Sequence, residues 1–100
     1  MRNITDEIKN EIREMVYEFI VDECEVEKDE LTDSTQIIDE LDGDSLMFVE
    51  IVEIIKKKYD LSIQMQNIGK YLLKHPAETI GEVIDTCILV YEKENEIVEG

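Results

Sequence analysis

Apolar residues in this chain recur at intervals of three and four, and no stretch alternates apolar with polar residues over the length of a strand. That spacing matches the α-helical period, so the chain is expected to fold as helices that each bury one stripe. Ile8, Ile12, Met15, Val16, Phe19 and Ile20 make the first stripe, with Thr5 as N-cap and Asp6 and Glu7 in the first turn. Asp44 to Tyr59 makes the second, with Asp44 as cap, Ser45 in the first turn, and Phe48, Ile51, Val52, Ile55 and Tyr59 on the inner face. Leu46 and Val49 form a shorter stripe, rotated from the first and placed near solvent beside Ser45, although a merely wide apolar face would read the same way. Gln64 to Lys74 reads as a short helix or ordered crossover built on Met65, Ile68, Tyr71, Leu72 and Leu73, stopped by Pro76. The last helix opens on Thr79-Ile80-Gly81-Glu82, a T-x-x-E capping box, and continues through Val83, Ile84, Cys87, Ile88 and Tyr91.

Between the first two helices, Val21 to Gly43 is acidic and lacks a clean period. It is expected to be a long loop, with Leu31, Ile37, Ile38 and Leu41 pinning it to the core and room for a short helical turn. The fold class is therefore all-α: a small bundle of three main helices plus a short one, with a long loop between helices I and II. A chain of 100 residues, 43% of them hydrophobic, is expected to be a single domain over 1–100, its polar tail from 92 to 100 fraying. The core should be aliphatic, because there is no Trp and the aromatics are two Phe and four Tyr.

The net charge of −16 argues against nucleic acid and against an anionic membrane surface, both of which would repel it. It favours basic protein partners, and it also serves plain solubility. No apolar run is long enough to span a bilayer, and the N-terminus has no signal-peptide core, so the chain reads as cytoplasmic. Cys24 and Cys87 stand far apart; Cys87 falls in an apolar stripe and belongs in the core, while Cys24 reads as a free thiol in an acidic stretch. The single His75 has no ligand types at metal spacing, and no metal site is expected.

Two catalytic or metal patterns fail on spacing. An EF-hand loop needs Gly at its sixth position; Gly43 there puts Ile38 at the first, and Asp39 at the first puts Asp44 at the sixth. A hydrolase elbow needs G-x-S-x-G after a strand, whereas Gly43-Asp44-Ser45-Leu46-Met47 has neither the second glycine nor the strand. No enzyme is expected.

The segment Ile37-Ile38-Asp39-Glu40-Leu41-Asp42-Gly43-Asp44-Ser45-Leu46 resembles the modification site of acyl carrier proteins, where a D-S-L triplet opens helix II. Val49-Glu50-Ile51-Val52 is similar to the family's V-E-L-V run, Tyr59-Asp60-Leu61-Ser62-Ile63 to its F-D-I-x-I, and Thr79-Ile80-Gly81-Glu82-Val83-Ile84-Asp85 to its final T-V-x-D-x-I-D. The resemblance implies a bundle of acyl-carrier-protein type and a carrier of acyl groups. A phosphopantetheinyl transferase would join the 4'-phosphopantetheine of coenzyme A to Ser45, and the arm's thiol would hold the cargo as a thioester in fatty acid or specialised lipid or polyketide synthesis. By the same resemblance Asp44 assists magnesium and transferase engagement, and Leu46, Val49, Glu50 and Glu53 meet partner enzymes with basic docking surfaces. A monomer is expected. A phosphodiester at Ser45 would also suit the unpaired amides and dipole of a helix N-terminus.

Three departures from the family pattern bear on partners. Gly43 stands one place later than usual; Lys56-Lys57-Lys58 occupies a stretch that is acidic in fatty-acid carriers, which shortens the acidic face to about Asp39–Glu53; and Gln64–Glu78 is longer than usual, without an acidic opening. They point to a dedicated pathway, unless the lysines only balance the acidic surface. The other readings are an unmodified helical adaptor, which the intact Asp44-Ser45-Leu46 disfavours, and a peptidyl or aryl carrier, which the strong acidity disfavours.

Overall fold

The computed structural model describes residues 4–37 and 45–93, with only the backbone at Ser45, Leu46 and Met65. Four α-helices carry these residues: α1 (Asp6–Cys24), α2 (Ser45–Tyr59), α3 (Met65–Lys74) and α4 (Ile80–Lys93), with a 3-10 turn at Lys28–Glu30. Among the described residues there is no strand, and one isolated antiparallel bridge joins Gln36 to Thr79. The all-α expectation therefore holds.

Two of the three expected caps form, and the third, Asp44, lies outside the described residues. The Ile8 amide donates to Thr5 Oγ1 at 3.2 Å, above Asp6 and Glu7 in the first turn of α1. At α4 the Thr79 amide donates to Glu82 Oε1 and the Glu82 amide to Thr79 Oγ1, each at 3.2 Å, so the capping box is complete.

One boundary differs from the sequence reading. α1 runs through Val21 to Cys24 instead of ending near Ile20. Val21 and Cys24 extend the stripe and are half-buried against the core, so Cys24 is a helix residue and not part of an acidic loop. The helix stops at Glu25, which takes the left-handed conformation with φ 54° and has no glycine to announce it.

The core is aliphatic. Ile12, Val16 and Ile20 of α1 meet Phe48, Ile51, Val52 and Ile55 of α2 and Ile80, Val83, Ile84, Cys87 and Val90 of α4, all buried. α4 packs against both α1 and α2. Each fully buried Ile or Val contributes about 1.5–3 kcal/mol relative to exposure, so these stripes hold the bundle. Met47 and Val90 are buried outside the stripes read from the sequence, because the three-helix junction covers a wider arc of α2 and α4 than one stripe. α3 is the marginal helix. Ile68 is 1% exposed, but Leu73, read as part of the apolar set, is 86% exposed.

The loop after α1 is stitched rather than loose over its described part. Leu31 and Ile37 are buried as expected; Ile38 and Leu41 lie outside the described residues. The Ile37 amide donates to the Glu78 carbonyl at 3.0 Å, the Ile80 amide to Thr35 at 3.1 Å and the Gly81 amide to Asp33 at 2.8 Å. Residues 33–37 thus run beside the entry to α4.

Candidate functional site

Ser45 is the first residue of α2, a helix of fifteen residues. The first four amides of such a helix lack intrahelical acceptors and carry the positive end of its dipole. No acidic residue stands in that first turn, although the chain holds 26 Asp and Glu. α1 and α4, by contrast, place Asp6, Glu7 and Glu82 in theirs. A serine hydroxyl in this position can take a phosphodiester that the helix dipole favours, with Asp44 as the adjacent acid, so the chemistry of the residues present fits a phosphopantetheine. Asp44 lies outside the described residues, and the side chains of Ser45 and Leu46 are likewise outside the description.

The chain has three serines, and they differ in setting. Ser34 sits in a turn of the loop, its amide donating to Thr32 Oγ1 at 3.2 Å. Ser62 lies exposed between α2 and α3. Among them, Ser45 is the one that opens a helix.

Beyond Ser45, α2 divides cleanly. Its inner side buries Met47, Phe48, Ile51, Val52 and Ile55. Its outer side presents Glu50, Glu53 and Lys57 as exposed residues, with Ile54 42% exposed at the edge and Val49 half-buried. Glu50, Glu53 and Lys57 share one face at spacings of three and four. The three lysines of the last turn part company: Lys58 reaches back to α1, its Nζ 3.6 Å from Glu11 Oε1, while Lys57 faces solvent and Lys56 is half-buried.

The end of α2 is anchored in two ways. The Tyr59 hydroxyl donates to Glu11 Oε1 at 3.2 Å, and its ring meets Tyr91 edge-on with centroids 5.1 Å apart. Burial first, and then Glu11, push the Tyr59 phenol up to about 12. Asp60 then takes the left-handed conformation with φ 53°, and the Leu61 amide donates to the Lys56 carbonyl at 3.0 Å, closing the helix.

A cluster that the sequence reading missed supports the loop ahead of α2. Asp33 accepts from Arg13 Nη1 at 2.9 Å and from the Tyr17 hydroxyl at 2.5 Å, both on α1, while its carbonyl takes the Gly81 amide of α4. The hydrogen bonds from Arg13 and then Tyr17 hold the Asp33 carboxyl below its ordinary value. Burial, then Asp33, push Tyr17 up to about 12. The one local signal was Gly81 inside the capping box. A Cβ there would lie 3.1 Å from the Asp33 carbonyl oxygen and 3.2 Å from its Cβ.

Neither thiol is set up as a nucleophile. Burial pushes Cys87 up to about 12 and also raises Cys24, so both stay protonated at neutral pH. His75 is exposed and lies against the Tyr71 ring, centroids 4.8 Å apart. No group of three His, Cys, Asp or Glu among the described residues could hold a metal ion, and no described helix is long and apolar enough to cross a membrane.

Comparison with known proteins adds a family and relatives. A family described as phosphopantetheine attachment site matches residues 14–86. An acyl carrier protein homolog of Clostridium acetobutylicum is 60% identical over 97 residues, covering 97% of this chain and 94% of that protein. An acyl carrier protein of Chlorobium luteolum is 33% identical over 83% of this chain and 95% of its own length. One from Petrotoga mobilis is 34% identical over 62% of this chain and 73% of its own length. No solved structure matches significantly.

Proposed function

The chain belongs to the acyl carrier protein family, whose cofactor is phosphopantetheine, and from that premise we propose that Ser45 carries the arm and that the protein tethers acyl intermediates without catalysing their chemistry. The observation that carries this reading is the setting of Ser45: of three serines within the matched span, it opens a long helix whose first turn holds no carboxylate.

The arm supplies a thiol that forms a thioester with the cargo. The protein's own residues do the rest. Ser45 would offer its hydroxyl oxygen to the phosphorus next to the pantetheine in the diphosphate of coenzyme A, its proton passing to a base of the transferase; the new Ser–O–P bond would replace the phosphoanhydride bond, and adenosine 3',5'-bisphosphate would leave with the transferase's magnesium neutralising its charge. The first-turn amides of α2 favour the resulting phosphodiester anion. Asp44, next in the chain, is proposed to engage that transferase and its magnesium. Leu46, Val49, Glu50 and Glu53 are proposed to meet partner enzymes; the exposure of Glu50 and Glu53 and the partial exposure of Val49 support this. We take residues 1–100 as one carrier domain acting as a monomer in the cytoplasm, on a dedicated pathway rather than bulk fatty-acid synthesis.

The test is intact mass after incubation with coenzyme A, magnesium and a promiscuous phosphopantetheinyl transferase. The wild type gains the mass of one arm and Ser45→Ala gains none. No gain in the wild type would return the chain to the unmodified adaptor.

A further inference from the structure

The outer face of α2 changes sign along its length, and this selects the kind of partner it admits. At about 1.5 Å rise per residue, Glu50 and Glu53 stand roughly 8 and 12 Å beyond Ser45, and Lys57 about 18 Å. A standard interface covers about 800 Å² per partner, a disc of roughly 16 Å radius. An enzyme acting at Ser45 therefore covers the acidic half of this face and sets its rim on the lysines.

The lysines are not used up by the fold. Lys58 is drawn to Glu11, but Lys57 is exposed and Lys56 half-exposed. A cleft of about 220 Å³ lies among Glu53, Lys56, Lys57, Asp60 and Leu61, with Ile54 42% exposed on the helix above it. Both signs of charge border that cleft, so its occupant must bring both: a cation toward Glu53 and Asp60, an anion toward the lysines. A uniformly basic docking patch would press a positive group against Lys57.

Resting on the carrier reading above, we infer that this face docks partner enzymes whose patch is basic over the first half of α2 and acidic over its end, with Lys57 as the residue that sets this preference. Glu53 and Lys57 stand about 6 Å apart along the helix axis, inside the Debye length of ~8 Å at physiological salt. The halves are therefore resolved only at contact. Long-range attraction of basic partners comes from the whole charge of −16, while Lys57 discriminates among those that arrive.

A charge exchange tests this on the full-length protein bearing its arm. The probe is a bacterial malonyl-CoA transacylase with a uniformly basic carrier-docking patch, and a variant of it with Glu in place of the basic residue facing the end of α2. Lys57→Glu is expected to lower the KM of the parent transacylase for the carrier about three- to tenfold with kcat unchanged, and the wild-type carrier to prefer the Glu-bearing enzyme by a similar factor, both effects fading at high salt. Equal KM values in all four pairings would overturn the inference, as would a Lys57→Glu carrier that is less heat-stable yet docks like the wild type; the lysines would then serve only the C-terminal end of the helix. A dimer in sedimentation that Lys57→Glu abolishes would assign the face to a second copy and overturn it too. Intact mass is read before the kinetics: an absent arm sinks the carrier reading, whereas a loaded arm with an indifferent KM sinks this inference alone.

Discussion

Gly81 and Asp33 bring the loop and α4 into close contact, the Gly81 amide donating to the Asp33 carbonyl at 2.8 Å. An alanine at 81 would gain about 0.5–1 kcal/mol by restricting the unfolded chain. It would also press its Cβ on a backbone carbonyl, and overpacking costs about 1–3 kcal/mol. The clash wins because Asp33 is held from its side chain by Arg13 and Tyr17 and cannot retreat freely. Gly81→Ala is expected to lower stability by about 1 kcal/mol and Tm by about 4–8 °C in thermal unfolding followed by circular dichroism. Asp33 also gives a pH signature. Its folded pKa lies below its unfolded one, so its contribution is present above the unfolded value and lost as pH falls through the folded one. Asp33→Asn should therefore unfold at lower urea than the wild type at neutral pH, and the gap should close below about pH 4. This cluster was not legible in the sequence, because it joins residues 20 and 16 positions apart, and no local pattern encodes such pairing.

At the scale of the elements, what could be read was whatever local chemistry decides. Thr5 and the Thr79–Glu82 box announced two helix starts, and the stripes of α1, α2 and α4 announced the buried faces. Helix ends were harder. Glu25 and Asp60 both close helices in the left-handed conformation, where glycine would ordinarily mark the stop. Leu73 misled for a different reason: period assigns a residue to a face, but burial needs a neighbour, and α3 has little packed over that side. Asp60 gives a test. Replacing it with glycine relieves the left-handed strain and removes an acid from the negative end of α2. Asp60→Gly is expected to raise stability by about 0.5–1 kcal/mol, read as a higher urea midpoint. A lower midpoint would show that the Asp60 side chain itself holds the turn.

Over the whole molecule, three helices bury a shared aliphatic core, and the loop after α1 is stitched to the entry of α4 as far as Ile37. Composition argues against nucleic acid on charge, and the resemblance around Asp44-Ser45-Leu46 points to Ser45 as the residue to test. What came only with folding is which lysine is spent on Glu11, because that depends on how α1 and α2 meet. The central claim is that one serine of three bears the arm. Its most direct measurement is fragment-ion mapping of the protein after transferase treatment with coenzyme A and magnesium. The phosphopantetheine mass is expected on the fragment containing Ser45, and none on those containing Ser34 or Ser62. The group on either of those serines, or on none, would contradict it.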